Sequence, residues 1–600
     1  MQKLPTTIYD FIVQEENNYM LPTAIIEDYE WSMKDHIKTS VFYKNSQFTR
    51  GNSESERDNK PFKNIIRPIL NLQYRTEGFD VKDVDIYVDD ASNQHKSLLI
   101  KKYHDKWARE NKIDTFIDEL VESYVDFGGA LVKNVNKVRP EVVPLQSIVL
   151  CDQTDILSGP IGIKHFYSPD QLKDMEEYGW GDEANGATHS VDEAILFSEQ
   201  SKEVNKSQSN LARTPGKYIE VYEIHGTLPT RYLKDEIEDG VDEAYTKQMQ
   251  IVCFYHGESG ASQGITLFRT EEKELPFKFI SRDEIFGRTL GFGGAEELFE
   301  AQVWTNYSEI RKKDMLDSAS KTILKTTDSA FATRNKVQNM ENLEIAVLEE
   351  GKDIGQVDTY PRNISLFDKA VMDWEEHART MGAAQDPIMG EEPKSGTPFR
   401  LQALVTQQAQ GQHEYRKGKL ATFVEEIYRE WILPYISKEI VKGKSFMVTL
   451  EFDELQQIVK KIVTNRVNRS VIDKILDGDL IDPQEINTLK EVTRELFMRD
   501  NNKFFEILKD EMKGLAVDVK VSIAGKQKDL PGVVDKLSSV WGTIMKFPQV
   551  LQNPSMANLF NQIIEYSGLN PVDFSGFEGQ PIQAPQAPQG PPQAQPVQTL

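Results

Sequence analysis

Residues 295–324 run for about thirty positions without a proline or glycine, directly after Gly291-Phe292-Gly293-Gly294. A helix of that length measures about 45 Å. Phe299, Val303, Tyr307 and Ile310 share one face, and Leu316, Ala319 and Ile323 form a rotated one. The helix is therefore expected to touch more than one neighbour along its length. A polar insert, 328–361, follows it, with strand signals at 343–348 and 354–357 around a turn at Gly351. A second helix is predicted at 366–381, where Phe367, Ala370, Val371, Trp374, Ala378 and Met381 keep helical spacing. Residues 382–398 are dense in Gly and Pro and read as a loop. A third long helix is predicted at 399–431, with Leu401, Leu404, Val405, Leu420, Phe423, Val424, Ile427 and Trp431 on its apolar face. Gly411 and Gly418 predict a kink or a weak turn within it.

The flanks read differently. Residues 45–60 carry almost no apolar content and predict a mobile loop. Residues 61–74 predict an amphipathic helix interrupted by Pro68, and 114–124 a helix stopped at Gly128-Gly129. Strand-like runs follow at 130–135, 142–151 and 161–167, then at 218–225, 250–256 and 264–268. The polar stretch 178–217 between them predicts a long surface excursion. Strands in sequence without intervening helices point to an antiparallel α+β domain and not a βαβ series. Alternation predicts further strands at 446–452 and 517–523, with helical segments between them. Residues 580–600 are rich in Gln and Pro and predict a disordered tail.

At 600 residues the chain holds about four domain equivalents. Its formal charge of −25 repels phosphate, which disfavours a protein that grips nucleic acid over its whole surface. Cys151 and Cys253 are the only cysteines, so a disulfide scaffold is excluded, a Cys-based zinc site is disfavoured and a reducing compartment fits. No apolar run approaches the about 18 residues of a membrane span. Asp10, Glu15 and Glu16 interrupt the N-terminal stretch, which is not expected to be a secretory signal.

Short motifs resolve mostly to structure. Lys442-Gly443-Lys444-Ser445 imitates the end of a P-loop, but Lys438 stands where that loop needs Gly. Asp126-Phe127-Gly128 lacks the companion kinase loop and reads as a helix stop. In the 291–294 glycine motif, Glu296 replaces the third Gly of a dinucleotide fingerprint, so the glycines read as a flexible start to the long helix. Asp80, Asp83, Asp85, Asp89 and Asp90 cluster without EF-hand spacing and read as a solvated face. His104, His165, His225 and His256 read as ordinary helix or strand residues. Arg311, Lys312, Lys313, Lys321 and Lys325 put five cations on the first long helix, offset by Glu300, Glu309, Asp314 and Asp317.

The order of these segments resembles the portal protein family of tailed bacteriophages. The resemblance rests on GGAEELFEAQVWTNYSEIRKKDMLDSASK (293–321), the insert 326–361, SLFDKAVMDWEEHARTMG (365–382), AAQDPIMGEEPKSGTPFR (383–400) and the helix phrase 394–434 with its Ser-Gly-Thr start. KPFKNIIRPILNLQ, VESYVDFGGALVKNV and EVVPLQSIVLCD are similar to the portal wing, so the likeness spans roughly residues 60–530. It implies an α+β portal fold: an α/β wing, long stem helices, a small β clip insert and a mostly helical C-terminal crown. The implied boundaries are wing 1–290, first stem helix 291–325, clip 326–364, second stem helix 365–382, tunnel loop 383–400, long wing helix 401–445, C-terminal wing and crown 446–575, and tail 576–600.

The resemblance further implies a non-enzymatic ring, usually of twelve subunits, at one vertex of a virion capsid assembled in the host cytoplasm. Double-stranded DNA would pass through it during packaging and ejection, without sequence specificity. Lys394 and Arg400 in the tunnel loop, with Arg311, Lys312, Lys321 and Lys325 on the stem, would meet phosphate or pack subunits. Arg334, Lys336, Glu349, Glu350 and Lys352 in the clip would dock the terminase large subunit and then the head–tail adaptor. The wing would meet the major capsid protein and scaffold. No catalytic residue, metal, cofactor or membrane is called for. Two alternatives stay open: another oligomeric virion structural or scaffolding protein, and a two-metal nuclease on residues 80–90.

Overall fold

Every strand pairing among the described residues is antiparallel, as the sequence pattern predicts. The computed structural model describes residues 7–49, 60–88, 94–135, 139–205, 218–234, 244–256, 262–321, 323–327, 329, 350–358, 363–384, 399–442, parts of 459–476, 483–499 and 517–521. The chain divides into two compact units, Met1–Lys526 and Gln527–Leu600, and every described residue belongs to the first. The expected strand at 446–452, the strand at 343–348, the loop at 385–398 and the Pro/Gln tail lie outside the described residues.

The N-terminal part begins with α1 (Ile8–Tyr19), β1 (Thr23–Ile26), β2 (Tyr29–Trp31) and α2 (Met33–Lys44). Thr7 and Ser32 cap the two helices by accepting from the Asp10 and Asp35 amides. Next come α3 (Ile66–Glu77), β3 (Val84–Val88), α4 (Gln94–Glu110) and α5 (Ile113–Phe127). Pro68 does not interrupt α3, because it sits in the first turn, where its missing N–H costs nothing. The helix predicted at 114–124 extends to Phe127 and stops at Gly128, whose φ of 78° is left-handed.

Strands dominate the middle: β4 (Gly129–Val135), β5 (Arg139–Val143), β6 (Ile148–Leu150), β7 (Ile161–Tyr167), then short α6 (Pro169–Asp174) and α7 (Val191–Asn205). The single strand predicted at 142–151 is split, because Pro144 cannot donate to a ladder and starts a 3-10 turn at Leu145–Ser147. Part of the predicted excursion is the ordered helix α7, whose Ser190 and Glu193 form a reciprocal capping box. β8 (Ile219–Pro229), short α8 (Arg231–Lys234), β9 (Tyr245–His256), β10 (Ser262–Glu271) and β11 (Phe277–Ser281) complete this strand-rich part. They form a five-stranded sheet ordered β10-β9-β8-β7-β6 and a three-stranded sheet β11-β4-β5.

Period-two alternation explains how the larger sheet is covered. Ile219, Val221, Ile251 and Cys253 bury one face beneath α7, while Tyr222, Ile224, Leu228 and Val252 bury the other beneath α1.

The helical part starts with short α9 (Gly294–Glu297) and α10 (Phe299–Ala319), then β12 (Leu324–Thr326) and β13 (Ile354–Gln356). α11 (Ile364–Met381), α12 (Phe399–Ile427), a π-helical turn at Tyr428–Ile432 and α13 (Leu433–Lys442) follow. α14 (Pro483–Arg499) and β14 (Val517–Val521) come last, and β14 returns to pair with β3. α10 ends five residues short of the predicted helix end at 324, because Leu324–Thr326 is drawn into the β12–β13 ladder. α12 runs unbroken through Gly411 and Gly418, and a π-helical turn falls at 428–432. Pro434 has no N–H to bond the carbonyl four residues before it, which favours a widened turn at that place. Leu70, Phe116, Leu120, Leu420, Val424 and Ile427 bring α3, α5 and α12 together in the largest core.

Candidate functional site

α10 and α11 form an antiparallel hairpin, since Trp304 meets Trp374 and Lys312 meets Asp368, so that rising numbers on one helix meet falling numbers on the other. At its far end β12 and β13 pair as a small ribbon, Leu324 with Gln356 and Thr326 with Ile354. Val371, Ala378, Ala301 and Ser308 are buried along the helices. One flank carries an aromatic stack. The Trp304 and Trp374 rings lie 6.1 Å apart at 10°, with Tyr307 edge-on to Trp304 at 5.7 Å and His377 edge-on to Trp374 at 5.5 Å. The Arg311 guanidinium lies 5.2 Å over the Tyr307 ring. Trp304 is 43% exposed and Tyr307 46%, so these two rings face outward, while Trp374 is half-buried and packs against the edge of the largest core.

The sequence-predicted residues fall into three groups. Arg311 and Lys312 lie on α10, about 100° apart. Lys312 donates to Glu309 and, at 3.2 Å, to Asp368, while Lys313 pairs with Asp317 at 3.9 Å. Lys321 lies just beyond α10, Lys325 on β12, and Glu350 and Lys352 at the turn before β13. Lys325 and Lys352 thus come to the same ribbon end, away from Arg311 and Lys312. Lys394, Arg334, Lys336 and Glu349 lie outside the described residues; Arg400 is in the first turn of α12, its side chain likewise outside them.

The base of the hairpin holds a buried ionic joint that sequence reasoning did not anticipate. Glu77, at the end of α3, accepts from Arg282 Nη2 at 2.6 Å and Nε at 3.1 Å. His413 Nδ1 faces Glu77 at 3.0 Å, and its Nε2 meets the Ala383 carbonyl at 3.2 Å. Arg416 donates to Asp283 at 2.6 Å and to Glu297 at 2.9 Å, and Tyr124 Oη donates to the Arg416 carbonyl at 3.0 Å. Glu77 and Arg282 are wholly shielded from solvent. Burial pushes the Glu77 carboxyl up, but the Arg282 charge and the His413 and Arg282 hydrogen bonds outweigh it and hold it below the usual range.

The same base anchors both hairpin helices. On α10, Gln302 accepts from the Ile65 amide at 2.8 Å and donates to the Lys63 carbonyl at 2.6 Å, and Asn306 accepts from the Lys63 amide at 3.0 Å. After α11, the Gly382 carbonyl accepts from Gln73 at 3.2 Å. Residues 63–77 therefore hold both ends. The weak sequence signal for this joint was His413 and Arg416 at i,i+3 on an otherwise core-facing helix. Nothing local pairs them with Glu77.

A second buried cluster joins the two sheets. Glu223 of β8 meets Lys133 of β4, His165 of β7 and His225 of β8, and His225 Nδ1 faces Glu272 at 3.0 Å. Burial would lower the His225 pKa, but its bonds to Glu223 and Glu272 prevail and raise it. These strand histidines thus carry ionic contacts between layers. His104, on α4, meets Tyr428 Oη at 3.0 Å.

The two glycine motifs flagged separately in the sequence pack on one another. A Cβ on Gly128 would stand 2.2 Å from the Gly291 carbonyl, and one on Gly293 would stand 2.4 Å from the Asp126 carbonyl. The 291–294 glycines therefore serve close backbone approach and not flexibility. Asp126 is buried and held by Lys44 and Tyr74. In the acidic run, Asp80 and Asp83 make a reciprocal cap, and the Asp85, Asp89 and Asp90 side chains lie outside the described residues. Among the described residues no three His, Cys, Asp or Glu side chains are grouped to hold a metal ion, and no helix is long and apolar enough to cross a membrane. Residues 443–445 of the P-loop-like motif lie outside the described residues.

No protein-family model and no curated protein matches this sequence. Among solved structures, the chain is similar to one described as "Virion of native gene transfer agent (GTA) particle", with a TM-score of 0.32 and 8% identity over 93% of this chain and 100% of that one. Another, "Neck of empty GTA particle computed with C6 symmetry", gives 0.33 and 9% over the same shares. Superpositions this loose carry no argument. The class defined by the fold is an α+β protein bearing a two-helix hairpin with a β ribbon at its end.

Proposed function

We propose that this chain is a portal-type virion subunit: a ring-forming, non-enzymatic conduit for double-stranded DNA at one capsid vertex. The observation that carries the reading is the α10–β12–β13–α11 hairpin, tied down at its base by buried polar bonds and open along an aromatic flank. A closed ring needs two different adhesive faces per subunit, and a hairpin whose contacts among the described residues lie at its base leaves its flanks for neighbours. In this reading α10 and α11 are the stem, the ribbon belongs to the clip that docks the terminase and later the head–tail adaptor, and residues 385–398 belong to the tunnel loop. The strand-rich part is the wing that meets capsid protein and scaffold. Lys312 and Lys313 are already committed to Glu309, Asp368 and Asp317. A wall whose cations are committed internally holds phosphate weakly, which suits DNA that must slide.

The test is the mass of the purified full chain in solution, followed by electron-microscope class averages of its largest species. A ring of about a dozen copies with an axial opening supports the reading. A chain that remains monomeric at high concentration overturns it. Assembly into a form without an opening transfers the assignment to another virion structural or scaffolding protein.

A further inference from the structure

The two flanks of the hairpin differ in chemistry and lie on opposite sides of the contact between α10 and α11. On α11, Val371 and Ala378 are buried, and at about 100° per residue Trp374 falls to one side of them and Asp368 to the other. The first flank is aromatic and carries Trp304, Tyr307, Trp374 and Arg311. The second carries Met372, 67% exposed, between Asp368 and Glu376, with Lys312 bridging to Asp368. Glu376 has no ion-pair partner among the described residues.

From this asymmetry, and resting on the ring reading above, we infer that the aromatic flank of one copy docks on the Met372 flank of the next. The occupant is a second copy because the complement of each flank is present on the other. Trp, Tyr and Arg are the side chains that most often dominate protein interfaces. Methionine adapts to aromatic faces and makes favourable sulfur–ring contacts. Arg311 is a guanidinium donor on one side, and the second oxygen of Asp368 is an acceptor on the other; Lys312 uses only Oδ1. Nucleic acid is disfavoured as occupant, because Glu300 and Asp314 extend the Trp304–Tyr307–Arg311 stripe at both ends. Pairing the aromatic flank with itself would leave Met372 bare.

The hairpin pairings set the heights. Trp304 lies level with Trp374 and Lys312 with Asp368, so Tyr307 lies level with Met372 and Arg311 with Asp368. Copies related by an axis parallel to the hairpin bring those levels together.

The experiment places cysteines at both positions of the full chain and adds a short bismaleimide. Tyr307 and Met372 are exposed, so neither change removes core packing. Tyr307→Cys with Met372→Cys in one chain is expected to give a ladder of covalent multimers. Each single variant alone gives none, and a mixture of the two stops at dimers. The unsubstituted chain, with Cys253 buried and Cys151 half-buried, is the blank. Covalent dimers from Tyr307→Cys alone overturn the inference, as does an assembled double variant that gives no ladder. Monomers at every concentration overturn the ring reading as well, so the two failures are distinguishable. As an independent arm, Arg311→Glu is expected to weaken association at least about tenfold, and adding Asp368→Arg to restore most of it. An unchanged association constant for Arg311→Glu overturns the Arg311–Asp368 contact.

Discussion

Replacing Glu77 by Gln would keep the shape of the joint and delete the one charge that Arg282, His413 and Arg416 all face. The Arg282–Glu77 contact at 2.6 Å has a gross attraction of about 6 kcal/mol at an effective dielectric of 20. Desolvation of both groups offsets much of it, so the pair contributes little net against an apolar replacement. Removing one partner is a different matter. Arg282 stays buried with Glu297, 3.7 Å from Nη1, as its remaining counter-ion, and breaking such a pair costs about 3–5 kcal/mol. Urea titration of the full chain, read by circular dichroism, measures the loss. Adding Arg282→Met to Glu77→Gln should cost less than the two singles together, with a coupling of about 1–3 kcal/mol. Because the Glu77 pKa is lowered in the fold, its contribution is present above the unfolded carboxylate value, about 4.3, and disappears as pH falls through the folded value. The gap between wild type and variant should therefore close in acid. A Glu77→Gln loss below about 1 kcal/mol at neutral pH would refute the account of a buried, mutually dependent joint.

His225→Gln should destabilise most below the unfolded histidine value, about 6.5, with the difference shrinking as pH rises through the raised folded value; a pH-independent difference in melting midpoint would contradict that. Leu420→Ala, in the contact of α12 with the largest core, should cost about 2–5 kcal/mol by the same urea assay, and a loss like that of an exposed site would displace Leu420 from the core. Gly411→Ala meets nothing within 4 Å inside α12 and should stabilise by about 0.5–1 kcal/mol, whereas Gly128→Ala, at left-handed φ and against the Gly291 carbonyl, should destabilise by more than that gain. A Gly128→Ala protein as stable as wild type would remove the packing role given to the two glycine motifs.

Much of the element pattern was legible because it rests on local periodicity. Phe116, Ile117, Leu120, Val121 and Tyr124 repeat at helical spacing, and their helix does bury them. The long Gly- and Pro-free run is indeed helical through α10, and the phase change at 316–323 coincides with the helix end. Departures from the pattern trace to single residues with stereochemical force. Pro144 splits a strand, Pro434 follows the π-helical turn at 428–432, and the Ser190–Glu193 box starts a helix inside the stretch read as a surface excursion. The cations chosen from the sequence are only partly gathered: Arg311 and Lys312 share a helix but not a flank, and Lys325 and Lys352 sit at the ribbon.

By itself the sequence determined the helix–insert–helix order, the antiparallel α+β class, the acidity that disfavours a general nucleic-acid grip, and the two-cysteine economy. Each of these is a property of composition or of neighbours within a few turns of chain. Tertiary structure alone decided that Glu77, Arg282, Glu297, His413 and Arg416 meet, that Gly128 faces Gly291, that β14 completes β3, and that the exposed Trp304 stacks on Trp374. Those pairings join segments with no local pattern in common. A buried charge selects its partner only where packing brings the two together and excludes water.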